Sequence, residues 1–218
     1  MKVENTIISN LREDYTAKTL DITDVSKNPF DQFGVWLQEA LSAEVPEPNA
    51  MTLATATPEG IPSARIVLLK GYSENGFVFY TNYESHKGQE MAENPNVSLV
   101  FVWLDLQRQI RIQGKVKKTS KEQSETYFQS RPKKSQIGAM ASAQSRVVEN
   151  RQVLEENYKR IVKEYEGVEK LPLPNNWGGY CVEPTKIEFW QGRRSRLHDR
   201  IVYQLEENNN WKIERFAP

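Results

Sequence analysis

The segment from Arg65 to Lys87, RIVLLKGYSENGFVFYTNYESHK, constrains the fold of this chain most strongly. β-Branched and aromatic residues dominate its two apolar runs, 66–69 and 77–80, as is typical of strands. The Asn75-Gly76 pair between the runs is a strong hairpin signal, because both residues tolerate the positive φ of a tight turn. The segment therefore predicts two strands that fold back on each other.

Cations and hydroxyls gather at the ends of these two strands. Arg65 opens the first strand and Lys70 closes it, and Ser85, His86 and Lys87 follow the second. Such a set can bind an anionic ligand. The alternative is that these charges flank the hairpin only to prevent its aggregation. The hairpin alone does not decide between the two interpretations.

Length and charge limit the architecture and the partners. A chain of 218 residues, 38% hydrophobic and 27% charged, suits one sizeable domain. We assign residues 28–218 to this domain and residues 1–27 to an N-terminal arm or lid. Because 29 basic residues balance 29 acidic ones, no general attraction to nucleic acid or to a membrane is expected.

The cysteine and histidine content argues against metal sites and disulfides. Cys181 is the single cysteine, and His86 and His198 are the two histidines, so no metal site is predicted. The N-terminus has no apolar targeting segment, and the longest apolar run, 97–104, is too short to span a bilayer. These features predict a soluble, cytoplasmic protein.

The remaining pattern predicts a mainly β chain with flanking helices, of the α+β class. Helices are expected at 29–42, 87–93, 119–129 (from a Thr119–Glu122 capping box) and 147–165. Further strands are expected at 51–57, 97–103 (buried on both faces), 107–117 (half-exposed), 179–182, 186–190, 201–206 and 211–216. Antiparallel strands with short connections indicate a barrel or a sandwich.

Tyr127, Arg131 and Ser135 are spaced by four residues. On one continuous helix they would form a polar stripe suited to a phosphate. Pro132 interrupts that helix, because the residue before a proline is pushed away from helical φ and ψ. A junction between two helices could still bring the three side chains together, and the alternative is an exposed helix face.

The most concentrated polar cluster lies at 193–200, with four Arg, one His and one Asp. Strand alternation would direct Arg196, His198 and Arg200 to one face. An Arg–His pair beside aromatic residues suits a planar anionic ligand. A solvated basic loop is the alternative.

Seven motifs, taken together and in this order, resemble the pyridoxamine/pyridoxine 5′-phosphate oxidase family over roughly residues 10–218. They are RIVLLK, FYTNYESHKGQE, RQIRIQGKV, YFQSRPKKSQIGA, WGGY, IEFWQG and RLHDR. The resemblance implies a homodimer of antiparallel FMN-binding split barrels. It also implies oxidation of pyridoxine or pyridoxamine 5′-phosphate to pyridoxal 5′-phosphate, with O2 as acceptor and H2O2 as product.

The resemblance also implies roles for individual residues. FMN would contact Arg65, Ile66, Val67, Leu68, Leu69, Lys70, Tyr80, Thr81, His86, Lys87 and Gln109. The second subunit would add Gln144, Ser145, Trp190 and Arg200, which places the FMN sites at the subunit interface. The substrate phosphate would meet Lys70, Tyr127, Arg131 and Ser135. Arg196 and His198, with Leu197 between them, would meet the substrate ring as the catalytic pair, and Arg12 and Tyr15 would cover the substrate from the arm.

Two departures and two alternatives accompany this resemblance. His86 stands where many members have Arg, and Glu47 stands where some have Asp. A related flavoenzyme acting on another aromatic substrate should lack the substrate-phosphate set. A non-catalytic protein that carries pyridoxal phosphate need not keep the flavin contacts. Because both sets are present, the sequence favours the oxidase.

Overall fold

The computed structural model describes Leu11 and residues 14–218. Its contacts divide the chain into two units that interleave along the sequence. The first unit comprises the N-terminal part up to residue 48 together with 100–112 and 186–218, and the second comprises 49–99 and 113–185. Arg12 lies outside the described residues, so its predicted role stays a prediction. Within the described residues, no helix is long and apolar enough to cross a membrane.

The described residues form five α-helices and nine strands. The helices are α1 (Pro29–Ser42), α2 (His86–Glu93), α3 (Lys121–Ser130), α4 (Lys133–Ala141) and α5 (Arg151–Glu164). The strands are β1 (Ala50–Ala56), β2 (Pro62–Leu68), β3 (Gly71–Ser73), β4 (Gly76–Asn82), β5 (Asn96–Trp103), β6 (Arg108–Lys118), β7 (Trp177–Gln191), β8 (Asp199–Leu205) and β9 (Trp211–Phe216). The sheet order is β2-β1-β5-β6-β7-β4-β3, with β8 paired to β7 and to β9.

The predicted hairpin is wrong in its pairing. Strand β2 is antiparallel to β1, with Val67 opposite Met51, and the short strand β3 is the partner of β4, with Ser73 opposite Gly76 across a two-residue turn at Glu74 and Asn75. The chain changes partners at Leu69, which is only 5% exposed. Gly76 has φ +129°, and a Cβ there would lie 2.1 Å from the Val182 carbonyl oxygen. The glycine is therefore required, but by the close approach of the Val182 carbonyl at the start of β4. The turn itself lies one residue earlier than predicted and joins a different pair of strands, and Asn75 does not have the positive φ that the signal implied.

Strands β5 and β6 both alternate between buried and exposed residues. The expectation that β5 is buried on both faces is wrong, since its residues alternate and Val102 is 51% exposed. Only one face of this strand packs against the core. The alternation predicted for β6 is confirmed, with Ile110, Ile112 and Val116 buried.

The helix boundaries follow the capping residues. Helix α1 begins as predicted, with the Asn28 side chain accepting from the Phe30 N–H and Pro29 in the first turn. Ser120, not Thr119, caps α3. Helix α5 is shorter than predicted because Asn150 caps it, and Val147 lies outside it, fully exposed.

The C-terminal strands belong largely to the first unit. Strand β7 is one continuous strand of 15 residues in place of the two predicted. Its second half pairs antiparallel with β8, and β8 pairs with β9. Trp36 of α1 packs edge-to-face on Phe189 of β7, with ring centroids 5.1 Å apart. This packing places the end of β7 and the loop after it beside the core of the first unit.

Candidate functional site

The second unit contains a cleft of about 970 Å³, lined by β2, β4, the start of α2, and the α3–α4 junction. It brings together the predicted residues Arg65, Ile66, Val67, Leu68, Lys70, Tyr80, Thr81, His86, Lys87, Tyr127, Arg131, Ser135, Gln144 and Ser145. Leu69 is the exception in this part of the chain, since it is buried and does not line the cleft. None of the described lining residues is Asp or Glu. The cleft therefore suits anionic ligands.

Lys87 lies at the cation-rich end of the cleft. It is 8% exposed, and its Nζ is 3.3 Å from Thr81 Oγ1 and 3.4 Å from Ser85 Oγ. Burial and the nearby Arg65 guanidinium lower the pKa of Lys87. Because burial of an ammonium is costly, an anion in the cleft would stabilise its charged form.

A buried carboxylate holds Arg65 in place. The Arg65 guanidinium donates to Thr55 Oγ1, to Ser63 Oγ at 2.6 Å and to Glu90 Oε2 at 3.2 Å. Glu90 is 4% exposed and also accepts from both hydroxyls. Burial alone would raise the pKa of Glu90, but these hydrogen bonds and nearby cations outweigh it, so that the pKa is lowered.

His86 belongs to the rim of the same network. Its Nε2 is 3.6 Å from Glu90 Oε1, one turn along α2, and its side chain is largely exposed. The sequence analysis did not single out Glu90. The i, i+4 spacing from His86 to Glu90 was the available signal.

We expect Glu90→Gln to destabilise the protein at pH 7 by about 2 kcal/mol, because it removes a charge-assisted acceptor from a buried network. The folded-state pKa of Glu90 lies below its ordinary value of 4.5. The carboxylate therefore stabilises the fold above the unfolded-state pKa, and this contribution is lost as pH falls through the folded-state pKa. Urea unfolding at pH 7 and at pH 4 should show the difference from wild type shrinking in acid. Glu207→Gln, at an exposed position, is the control, and an equal difference at both pH values would contradict the prediction.

Three stacked aromatic rings form another wall of the cleft. The Tyr80 and Tyr127 ring centroids are 3.8 Å apart, and Trp177 lies 5.6 Å from Tyr80 at an interplanar angle of 12°. Burial raises the pKa of Tyr80 and of Tyr127, so both hydroxyls keep their protons at neutral pH. Trp177 was not predicted as a site residue, although it opens the WGGY motif.

The junction between α3 and α4 at Pro132 brings Tyr127, Arg131 and Ser135 into one cleft. The sequence analysis named such a junction as the way in which the three side chains could meet without a continuous helix. Arg131 ends α3 with extended backbone, and α4 begins after Pro132. The Arg131 guanidinium lies 4.8 Å from the Trp177 ring centroid. Its Nη1 is buried and has no hydrogen-bond partner among the described residues. A bound anion in the cleft would supply the acceptor that this buried donor lacks.

Gln144 and Ser145 line the cleft of their own chain. Thr81 Oγ1 donates to Gln144 Oε1 at 3.2 Å, so this segment does converge with the Lys87 side of the cleft within one subunit. The resemblance assigned these two residues to the second subunit, whereas here they line the cleft of the same chain. Which subunit's Gln144 meets FMN in a dimer stays a prediction.

The first unit holds a second cluster, around His198. The Trp190 and His198 ring centroids are 4.6 Å apart, and Tyr15 lies 5.9 Å from Trp190 and 5.8 Å from His198. The Arg193 N–H donates to His198 Nδ1 at 3.1 Å. A neutral imidazole bonded in this way carries its proton on Nε2. Burial and the Arg196 charge lower the pKa of His198, which favours this neutral form.

Strand alternation does not position Arg196 and His198. Ser195 and Arg196 have φ of +55° and +62°, in a turn at Arg194–Arg196, and β8 begins only at Asp199. The predicted common face is therefore wrong. Arg196 and Leu197 are exposed. The glycine- and serine-containing sequence before Leu197 was the signal for a turn.

Other predicted site residues of the first unit have structural partners. Glu188 holds the Arg200 guanidinium with bonds of 3.0 and 2.9 Å, and the Ala217 carbonyl accepts a third at 2.8 Å. Gln109 is half-buried in β6. Glu47 has a left-handed backbone, with φ +44°, and its role stays untested.

Two family profiles match most of the chain. Residues 37–163 match the profile described as pyridoxamine 5′-phosphate oxidase. Residues 177–218 match the pyridoxine 5′-phosphate oxidase C-terminal dimerisation region. The chain is 53% identical to the pyridoxine/pyridoxamine 5′-phosphate oxidase of Trichormus variabilis, over 97% of this chain and 98% of the relative. It is 54% identical to the enzyme of the same name from Burkholderia mallei, over 98% of this chain and 100% of the relative.

Solved structures give the same fold. PhzG from Burkholderia lata, solved with tetrahydrophenazine-1-carboxylic acid, has a TM-score of 0.86 at 29% identity, covering 93% of this chain and 99% of PhzG. A pyridoxamine 5′-phosphate oxidase-related, FMN-binding protein from Nostoc punctiforme has a TM-score of 0.69 at 16% identity, covering 89% of this chain and all of that one. The predicted α+β split-barrel fold is confirmed. The chain belongs to the pyridoxamine 5′-phosphate oxidase family of oxidoreductases.

Proposed function

We propose that this protein is an FMN-dependent oxidase that converts pyridoxine or pyridoxamine 5′-phosphate to pyridoxal 5′-phosphate. FMN is its cofactor. The observation that carries the proposal is one cleft lined by two sets of cations and hydroxyls: Arg65, Thr81 and Lys87 form one set, and Lys70, Tyr127, Arg131 and Ser135 form the other. FMN and the substrate are both phosphate monoesters, and each needs such a group.

The Lys87 end of the cleft fits the phosphate of FMN. Lys87 and Arg65 supply the charge, and Thr81 supplies a hydroxyl within reach of Lys87 Nζ. The Glu90 network fixes the direction of the Arg65 guanidinium before any ligand binds. Such pre-organisation lowers the entropy lost on binding.

The Arg131 end fits the phosphate of the substrate. Its unpaired Nη1 is a buried donor, and Tyr127 and Ser135 add hydroxyls in the same cleft. Lys70 lines the cleft as well and provides a second cation. These four residues distinguish a phosphorylated substrate from an unphosphorylated one.

Lys87, Arg65 and Thr81 would hold the phosphate of FMN, and the bound cofactor would supply the acceptor for the hydride of C4′ and the reduction of O2 to H2O2. The chain's own residues then have to align two flat rings and exclude water. Arg196 and the Nε2–H of His198 orient the substrate ring. The hydrogen on C4′ would leave as a hydride and the proton of the C4′ hydroxyl would pass to solvent, whereas the imine formed from the amine substrate would afterwards be hydrolysed by water to the aldehyde and ammonia. No carboxylate base at C4′ is needed, which agrees with the absence of Asp and Glu from the described lining of the cleft.

We also propose that the working form is a homodimer with FMN at the subunit interface. The cleft residues up to Ser145 lie in the part of the chain that matches the oxidase profile. Trp190, Arg196, His198 and Arg200 lie in the part that matches the dimerisation region. In this arrangement the second group reaches the cleft of the partner subunit, so that dimerisation is needed for activity.

A second candidate function is oxidation of another aromatic substrate, which the similarity to PhzG favours. The ligand of PhzG is a carboxylic acid without a phosphate. The substrate-phosphate group of the present cleft has no use in that reaction. We therefore place this candidate second.

We expect the purified protein to be a yellow homodimer with one FMN per subunit, and to oxidise pyridoxine 5′-phosphate in air. The absorbance spectrum, the mass of the complex by light scattering, and H2O2 release measure these three properties. Pyridoxine and a phenazine carboxylic acid precursor are the comparison substrates. A colourless monomer, or turnover of the phenazine precursor alone, would overturn the proposal.

A further inference from the structure

We infer that Gln107 is a positioning residue that holds residues 14–20, here called the N-terminal segment, against the cluster formed by Trp190 and His198. We call this arrangement the latch. It comprises the Gln107 side chain, which binds the backbone of the segment, and Gly192, which leaves room for the Tyr15 ring. The inference rests on the proposed function, because it assigns the latch to retention of the phosphorylated substrate.

The Gln107 side chain binds two consecutive backbone amides of the segment. Its Oε1 accepts from the Thr16 N–H at 2.8 Å and from the Ala17 N–H at 3.0 Å. The Gln107 backbone carbonyl accepts from the Gly192 N–H at 2.8 Å. One residue therefore ties the N-terminal segment to the loop that follows β7.

The backbone of Gln107 has a conformation that residues with a side chain disfavour. Its φ of +52° and ψ of +44° are left-handed, a conformation that glycine adopts without cost. A non-glycine residue there costs of order 1 kcal/mol. The two amides bound by the side chain are a function that glycine could not provide.

Gly192 provides the room that Tyr15 occupies. A Cβ at Gly192 would lie 2.8 Å from Cγ and Cδ2 of Tyr15, closer than real Cβ contacts. The glycine therefore serves close packing of the Tyr15 ring, which meets Trp190 edge-on at an interplanar angle of 86°.

A second attachment point holds the far end of the segment. The Leu20 N–H donates to Asp199 Oδ2 at 3.1 Å, and Arg215 donates to the Leu20 carbonyl at 3.0 Å. Asp199 also binds the side chain of Arg193 at 2.8 Å, the residue whose N–H fixes His198. The loop that orients His198 therefore also binds the end of the segment at Leu20. Gln107 binds the segment next to Tyr15, at Thr16 and Ala17.

The experiment uses the full-length, FMN-loaded protein and two readouts: amide hydrogen exchange of residues 14–20, and KM against kcat for pyridoxine 5′-phosphate. Gln107→Gly removes the side chain and relieves the left-handed backbone. We expect exchange at Thr16 and Ala17 to be about tenfold faster and KM to rise about tenfold. FMN affinity and kcat should stay within about twofold.

Three further variants make the test specific. Gln107→Glu keeps an acceptor oxygen and should restore both readouts to near wild type. Gly192→Ala fills the room for Tyr15 and should raise KM as Gln107→Gly does. Asp105→Ala, at an exposed position of the same turn, should change neither readout.

Unchanged exchange in Gln107→Gly would overturn the latch, and faster exchange with unchanged KM would overturn its role in holding the substrate. If the wild-type protein does not oxidise pyridoxine 5′-phosphate, the proposed function fails, and the exchange measurement still decides whether Gln107 holds the segment.

Discussion

Replacing Arg131 with Ala should raise KM for pyridoxine 5′-phosphate by about a hundredfold while FMN stays bound. Its Nη1 is buried without a hydrogen-bond partner among the described residues, so a substrate phosphate would make a charge-assisted bond there. Loss of one such bond costs about 2.7 kcal/mol, which is the same hundredfold. The fold should tolerate the change, because the substitution removes a buried donor without a partner and creates no new buried polar group that lacks one.

The comparison with unphosphorylated pyridoxine makes this prediction specific. Arg131→Ala should abolish most of the preference for the phosphorylated substrate, because pyridoxine has nothing to lose at this position. Arg131→Lys should recover the charge but not the planar guanidinium, so its KM for pyridoxine 5′-phosphate should lie between those of the wild type and Arg131→Ala. Lys134→Ala, at an exposed position in the next helix, is the matched control. An equal loss for pyridoxine and its phosphate would show that Arg131 does not bind the phosphate.

Much of the fold followed from local patterns that the structure keeps. The Asn28-Pro29 start of α1 and the alternation of β6 depend on short-range chemistry, which tertiary contacts did not override. The partner of β2 could not be predicted in this way. The Asn75-Gly76 pair indicates a turn nearby but does not show which strand precedes that turn. Strand β2 follows β1 after Pro58-Glu59-Gly60 and pairs with β1, and not with β4.

The candidate site shows the same division. Residue types and motifs predicted the cations and hydroxyls of the cleft, and the structure places Lys70, Lys87 and Arg131 there. The supporting residues were missed, because Glu90 and Gln107 act through contacts with residues 25 and 90 or more positions away. The arrangement of Arg196 and His198 was also wrong, since two left-handed residues replace the strand that periodicity suggested.

Replacing Arg196 with Ala should lower kcat/KM by about a hundredfold or more with little change in FMN content. Arg196 is exposed in the first unit, in the part of the chain that matches the dimerisation region. In the proposed dimer it meets the substrate ring, so its loss weakens alignment of that ring. Lys87→Ala should behave in the opposite way, because it removes the buried ammonium assigned to the FMN phosphate. FMN should be lost on dilution, and turnover should return when flavin is added.

Titrating FMN into both variants separates the two roles. At saturating flavin, the kcat/KM of Lys87→Ala should approach the wild-type value, and the kcat/KM of Arg196→Ala should remain about a hundredfold below it. Arg194→Ala removes a neighbouring charge from the same turn and is the control for a general loss of positive charge. If added FMN rescues Arg196→Ala, this arginine serves the cofactor and not the substrate. The orientation of the substrate ring would then depend on His198, whose Nε2–H is presented by the bond between its Nδ1 and the Arg193 N–H.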